Sequence, residues 1–379
     1  NMLVKIGYKK TALIAMAVGA LGLFTQYLSS LFGANLDVFM LGGFAIKLNF
    51  IIYLLGAFIC GFCVCMLNTV VNPMLNLLGG GGNKGNQLIQ TGGALNSLSG
   101  TLTPLFVGAL IGTVTAQTAM TDVAPLLFIA MGVFASAFII ISFIAIPEPH
   151  LRKGNVEKEK FAHSPWHFRH TLLGVVGIFI YVGIEIGIPG TLNFYLADSS
   201  EKGAGLLVDG AAIGGAISAI YWLLMLVGRS ASSAISGKIS SRTQLIVVSA
   251  TAICFVLIAI ITPKEVTLSM PGYSVDKGFQ MAQVPVSALF LVLCGLCTSV
   301  MWGGIFNLAV EGLGKYTAQA SGIFMMMVVG GGVLPLVQQF ISDAVGYMAS
   351  YWLIIVLLAY LLFYGLVGCK NVNKDIPVE

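Results

Sequence analysis

Residues 171–197 read TLLGVVGIFIYVGIEIGIPGTLNFYLA, twenty-seven consecutive positions with one charged side chain, Glu185. A bilayer's hydrocarbon core takes about 20 mostly apolar residues to cross. Lipid offers no partner to an unpaired peptide group, so such a stretch must be a helix. Nine further segments read the same way: 11–33, 49–76, 88–114, 123–146, 208–235, 243–262, 286–310, 318–340 and 345–367. The predicted class is therefore an all-α, multi-pass membrane protein of ten spans.

Composition excludes the other classes. Of 379 residues 57% are hydrophobic and 9% charged, against about 25% charged in a soluble domain. A net charge of +4 is too small to attract nucleic acid. Six of the seven cysteines fall inside apolar segments, where they act as small hydrophobes rather than as a disulfide framework.

Charge placement sets the orientation. With Lys5, Lys9 and Lys10 in the cytoplasm and the spans alternating, fourteen of the nineteen Lys and Arg face inward. Lys47, Lys202, Lys264 and Lys277 face outward, and Arg229 sits near a helix end. This bias follows the positive-inside rule. It puts the C-terminus in the cytoplasm. The stretch 148–170, PEPHLRKGNVEKEKFAHSPWHFRH, reads as a cytoplasmic linker. It separates an N-terminal bundle of four spans (1–147) from a C-terminal bundle of six (171–367), followed by a tail (368–379).

An internal repeat links the bundles. Cys60-Gly-Phe-Cys63 and Cys294-Gly-Leu-Cys297 are 234 residues apart, and Pro104 and Pro335, each in the following span, are 231 apart. Two matches in the same order and direction indicate parallel halves. Three spans precede the Cys294 helix within its half but one precedes the Cys60 helix, so the expectation is a six-plus-six bundle whose first two helices are absent from the chain as read.

Several runs also resemble the major facilitator superfamily. Lys5-Ile-Gly7-Tyr8-Lys9-Lys10 is similar to the end of that family's basic loop motif, with Val4 where the motif has its acid. Leu67-Asn-Thr-Val-Val-Asn72-Pro73, Ala94-Leu-Asn96-Ser97-Leu98, Tyr181-Val-Gly-Ile-Glu185, Tyr221-Trp222 with Gly228-Arg229, and Gly312-Leu-Gly-Lys315 with Ala320-Ser-Gly322 resemble, in order, its fucose and glucose/galactose permease group. The resemblance implies a sugar importer of the bacterial inner membrane, working by alternating access and driven by protons or sodium, with no cofactor. It also implies departures. Asn68 stands where fucose permease carries a glutamate linked to proton-coupled binding, and Gly93 replaces the first amide of a Gln-x-x-Asn-Ser pattern.

Among candidate functional residues Glu185 stands first, since an intramembrane acid is costly and marks a ligand or coupling role. Its own helix carries no cation within a turn. Asn68 and Asn72, four apart, share a helix face, and with Asn96 their amides suit a sugar's hydroxyls; interhelical packing is the alternative for each. Trp302 occupies the repeat position of Asn68, where an indole would stack on a pyranose ring. Asn193, Asn307, Gln338 and Gln339 are secondary candidates. Arg229, Lys238 and Arg242 read as a gate or as plain cytoplasmic anchors, and Pro335 after Gly330-Gly-Gly332 as a point where a helix softens or as simple close packing. Cys60-x-x-Cys63-x-Cys65 and His163, His167 and His170 give no metal set, and Gly79–Lys84 lacks the ending of a phosphate loop. The chain is expected to be a monomer and not an enzyme. Rival readings are a carrier of another small solute and a non-transporting, truncated relative.

Overall fold

The computed structural model describes residues 2–41, 44–80, 82–111, 120–146, 164–206, 209–274 and 278–373. Its helices are α1 (Met2–Leu31), α2 (Leu48–Leu78), α3 (Gly82–Ile111), α4 (Met120–Phe143), α5 (Arg169–Ala197), α6 (Gly210–Ile235), α7 (Ser241–Ile261), α8 (Val286–Val310), α9 (Thr317–Met326), α10 (Gly330–Val345) and α11 (Tyr347–Phe363). Among the described residues nine helical segments are long and apolar enough to cross a membrane, α9 and α10 together forming one of them. Residues 88–111 of the third expected span, 88–114, fall in α3, which is not one of those nine. Residues 148–163 of the expected linker and 374–379 of the tail lie outside the described residues.

The chain divides into two compact units. One unit holds Asn1–Pro73 and Leu102–Phe161; the other holds Met74–Thr101 and Ala162–Glu379. The end of α2 and the first two thirds of α3 thus belong with the second-half helices. Sequence order cannot reveal this, because the repeat assigns α2 and α3 to the first half.

In the first unit α1 packs along α4. Gly7, at φ 82, breaks the start of α1. Tyr8, 2% exposed, then turns into a small core with Ala12 and Val70. The Lys9 ammonium donates to the Ser142 carbonyl at 2.8 Å. The basic run singled out in the sequence is therefore anchored beneath α2 and α4.

In the second unit α5 and α8 are central, with α6, α7, α10 and α11 around them. Small residues set the approach of these helices, as expected where lipid removes any hydrophobic force between them. A Cβ on Gly295 would strike the Tyr221 backbone carbonyl. Gly295→Val is expected to force α6 from α8 at a cost of about 1–3 kcal/mol, seen as a fall of several degrees in the Tm of the detergent-purified protein. An unchanged Tm would count against this close packing.

Two features were not legible beforehand. Antiparallel hairpins precede α2 and α8: β1 (Asp37–Leu41) with β2 (Phe44–Lys47), and β3 (Thr267–Ser274) with β4 (Gly278–Pro285). Shifted by the repeat's 234 residues, β2 falls on the start of β4, so the repeat extends beyond the helices. The second feature lies close to the expected soft point. A 3-10 turn, Met327–Val329, interrupts the helix before Gly330, upstream of Pro335. Mid-helix 3-10 geometry is a common hinge element.

Candidate functional site

The cation missing from the Glu185 sequence neighbourhood comes from α6. Arg229 Nη2 lies 2.9 Å from Glu185 Oε1, and the two side chains are 7% and 13% exposed. Arg229 is six residues short of the end of α6 and is itself buried, which corrects its expected place at a helix end.

Arg229 has five N–H donors, and the structure supplies an acceptor for each. Nε faces the Ser299 carbonyl at 3.4 Å. Nη1 donates to the Gly93 carbonyl at 3.0 Å and to Ser97 Oγ at 2.7 Å. Nη2 reaches the Tyr181 hydroxyl at 3.3 Å and Glu185 at 2.9 Å. One guanidinium on α6 thus joins α3, α5 and α8. A lysine, with three donors and no planar fork, would leave acceptors unmatched.

Glycine makes this convergence possible. A Cβ at Gly93 would meet Arg229 at 3.3 Å, and one at Gly228 would collide with the Ser299 side chain. Gly93 was notable in the sequence as a missing amide; in three dimensions its bare backbone admits the guanidinium.

Aromatic groups flank the pair. The Trp302 and Tyr181 rings lie 6.0 Å apart at 54°. Tyr181 is fully buried and Trp302 half-buried. Tyr221 bonds Thr298 Oγ1 at 2.7 Å. A carboxylate, a phenol and an indole therefore occur together, with the carboxylate the more accessible member of the ion pair.

The other expected residues have partners or settings of their own. Asn96 is exposed on α3, next to Ser97. Asn68 and Asn72 lie in the other compact unit, where Asn72 Nδ2 donates to the Asn68 carbonyl at 3.1 Å. Asn307 is engaged in packing: its Nδ2 donates to Ser241 Oγ at 3.0 Å and its Oδ1 accepts from Asn76 at 3.4 Å. Gln338, 1% exposed, faces Ser350 Oγ at 3.5 Å, and Gln339 Nε2 donates to Thr191 Oγ1 at 2.9 Å. Asn193 Oδ1 is buried beside Gly214 without a hydrogen-bond partner among the described residues.

Of the other basic candidates, Lys238 is exposed in the turn after α6. Arg242 donates to the Gly365 and Leu366 carbonyls at 2.9 and 2.7 Å, where a cation complements the end of a helix. No group of three or more His, Cys, Asp or Glu is placed to hold a metal among the described residues.

Sequence reasoning missed Tyr181, Ser97, Asn86 and Gln90 as interacting groups. A signal existed. Asn86, Gln90, Gly93 and Ser97 are spaced i, i+4, i+7 and i+11, a polar stripe on one face of a membrane helix.

Residues 2–328 match the family model of the Major Facilitator Superfamily. A glucose/galactose transporter of Brucella abortus biovar 1 (strain 9-941) is 29% identical over 373 residues, covering 97% of this chain and 80% of that protein. A putative glucose/galactose transporter of Helicobacter pylori (strain ATCC 700392 / 26695) is 27% identical over 395 residues, covering 98% and 83%. Among solved structures, that of the Escherichia coli fucose:proton symporter FucP superposes with a TM-score of 0.76 at 18% identity, over 98% of this chain and 86% of that one. At that identity the likeness speaks for the fold.

Proposed function

Because the chain belongs to the Major Facilitator Superfamily, we propose that it is a secondary transporter importing a hexose or fucose-like monosaccharide by alternating access, with protons as the coupling ion. It is a transporter and not an enzyme. The observation that carries the reading is the buried Glu185–Arg229 pair beside the Tyr181 and Trp302 rings. A sugar presents hydroxyls around an apolar ring face. A carboxylate accepts from the hydroxyls, and an indole covers the face. The names of the Brucella and Helicobacter relatives favour glucose or galactose, and that of FucP favours fucose and protons.

Glu185 is the intramembrane carboxyl on which the proton step would act. An anion carrier would instead need a buried cation with donors to offer, and all five of Arg229 are matched. The lysine and arginine bias supports a cytoplasmic C-terminus, and the resemblance to sugar importers supports the inner membrane.

The test is uptake of labelled glucose, galactose and fucose into proteoliposomes, with and without an inward proton gradient. Concentrative uptake of at least one sugar under the gradient is expected, with only equilibration in its absence. No uptake of any of the three would remove the substrate assignment. Accumulation that follows sodium alone would replace the proton.

A further inference from the structure

Tyr181 is fully buried, so a solute that reached the accessible side of Glu185 would not meet it. It nevertheless touches both chemical parts of the site. Its ring lies 6.0 Å from that of Trp302, tilted by 54°. Its hydroxyl oxygen accepts from Arg229 Nη2 at 3.3 Å and stands within hydrogen-bonding reach of Glu185. An oxygen that accepts from a guanidinium keeps its own O–H to give, and an ionised carboxylate can only accept. The hydroxyl therefore donates to Glu185, and the carboxylate is held by Arg229 and by Tyr181 together.

Helix geometry makes this arrangement stiff. Tyr181 and Glu185 are one turn apart on α5 and share a face. Thr298 and Trp302 stand in the same relation on α8. Tyr221 of α6 bonds Thr298 at 2.7 Å, and Arg229, two turns further along α6, faces the Ser299 carbonyl at 3.4 Å. The carboxylate and the indole are thus borne by different helices, and Tyr181 spans them. Packing alone would not ask for a phenol here. Phenylalanine fills nearly the same volume, without a hydroxyl that is costly to bury unless it is bonded. Groups that touch substrate stay within roughly 0.5 Å of their productive geometry only when a layer behind them locks their rotamers.

We propose that Tyr181 is a positioning residue of the transport site with two separable duties. Its hydroxyl fixes the Glu185 carboxylate, and its ring fixes the tilt of the Trp302 indole. The acceptor for a sugar's hydroxyls and the surface for its apolar face thereby keep one spacing. The inference rests on the transport reading for its purpose, but the hold of the Tyr181 ring on Trp302 is testable without any sugar.

In proteoliposomes Tyr181→Phe is expected to lower concentrative sugar uptake about tenfold, the loss of a hydrogen bond to a charged group, while the KM stays near that of the wild type. Tyr181→Leu (or Tyr181→Met, which fills gaps more freely) should add a several-fold rise in KM, as Trp302→Ala does. Joined to Trp302→Ala, it should raise the KM no further, because the ring acts through the indole; effects that multiply would show the two to be independent and overturn the ring's duty. Wild-type uptake by Tyr181→Phe overturns the hydroxyl's duty, which a role in packing alone predicts. The measurement without sugar uses a protein carrying Trp166→Phe, Trp222→Phe and Trp352→Phe, so that Trp302 alone emits. Its fluorescence maximum should shift on Tyr181→Leu and hold on Tyr181→Phe. One maximum in all three overturns the ring's duty whatever the solute proves to be. A wild-type protein that takes up no hexose, with that shift present, would defeat the sugar assignment and support the positioning.

Discussion

Glu185→Gln is expected to abolish concentrative sugar uptake, by at least about a hundredfold, in a protein that still folds. The glutamine oxygen still accepts from Arg229, so the helices stay joined, but the ionisable group is gone. A factor of a hundred corresponds to about 2.7 kcal/mol. Arg229→Ala should act differently. It leaves the carboxylate without its cation and strands acceptors on α3 and α8, and removing one partner of a buried pair costs about 3–5 kcal/mol. The expected result is poor yield and a lowered Tm as well as lost uptake. Combining Glu185→Gln with Arg229→Gln should recover much of the Tm, because no buried charge is left unpaired, while uptake stays lost. Measuring Tm and uptake on all three separates a structural role from a transport role. Concentrative uptake by Glu185→Gln at the wild-type level would end the coupling assignment.

Trp302→Ala is expected to raise the KM for sugar by about tenfold or more with a smaller effect on the maximal rate. The indole is half-buried against Tyr181. A stacked aromatic contributes about 0.5–1.5 kcal/mol beyond the area it covers, and each 1.4 kcal/mol is a factor of ten. Trp302→Phe should lie between, since a smaller ring covers less of a pyranose face. A KM that is the same in all three would place Trp302 in packing rather than in the site.

How much of the site was legible depended on the kind of signal. Glu185 stood out because a charge inside a twenty-seven-residue apolar run has no cheap explanation. Arg229 was visible as a residue but misplaced, because its role is set by which helix faces it. Asn307 and Gln338 looked like sugar ligands by chemistry alone. The fold gives Asn307 neighbours on α7 and α2 and Gln338 one on α11, partners that no spacing along the chain announces. The polar stripe on α3 was present in the spacing of Asn86, Gln90, Gly93 and Ser97, yet its meaning required knowing what lay opposite.

The sequence by itself determined that this chain crosses a membrane several times and that its halves repeat. Each follows from local quantities: the length of an apolar run and the distance between matching residues. Only the tertiary structure decided that Arg229 closes on Glu185, and that residues 74–101 join the second-half helices. Those facts depend on pairs separated by 44 to 231 positions, whose meeting is fixed by helix packing rather than by any neighbour along the chain.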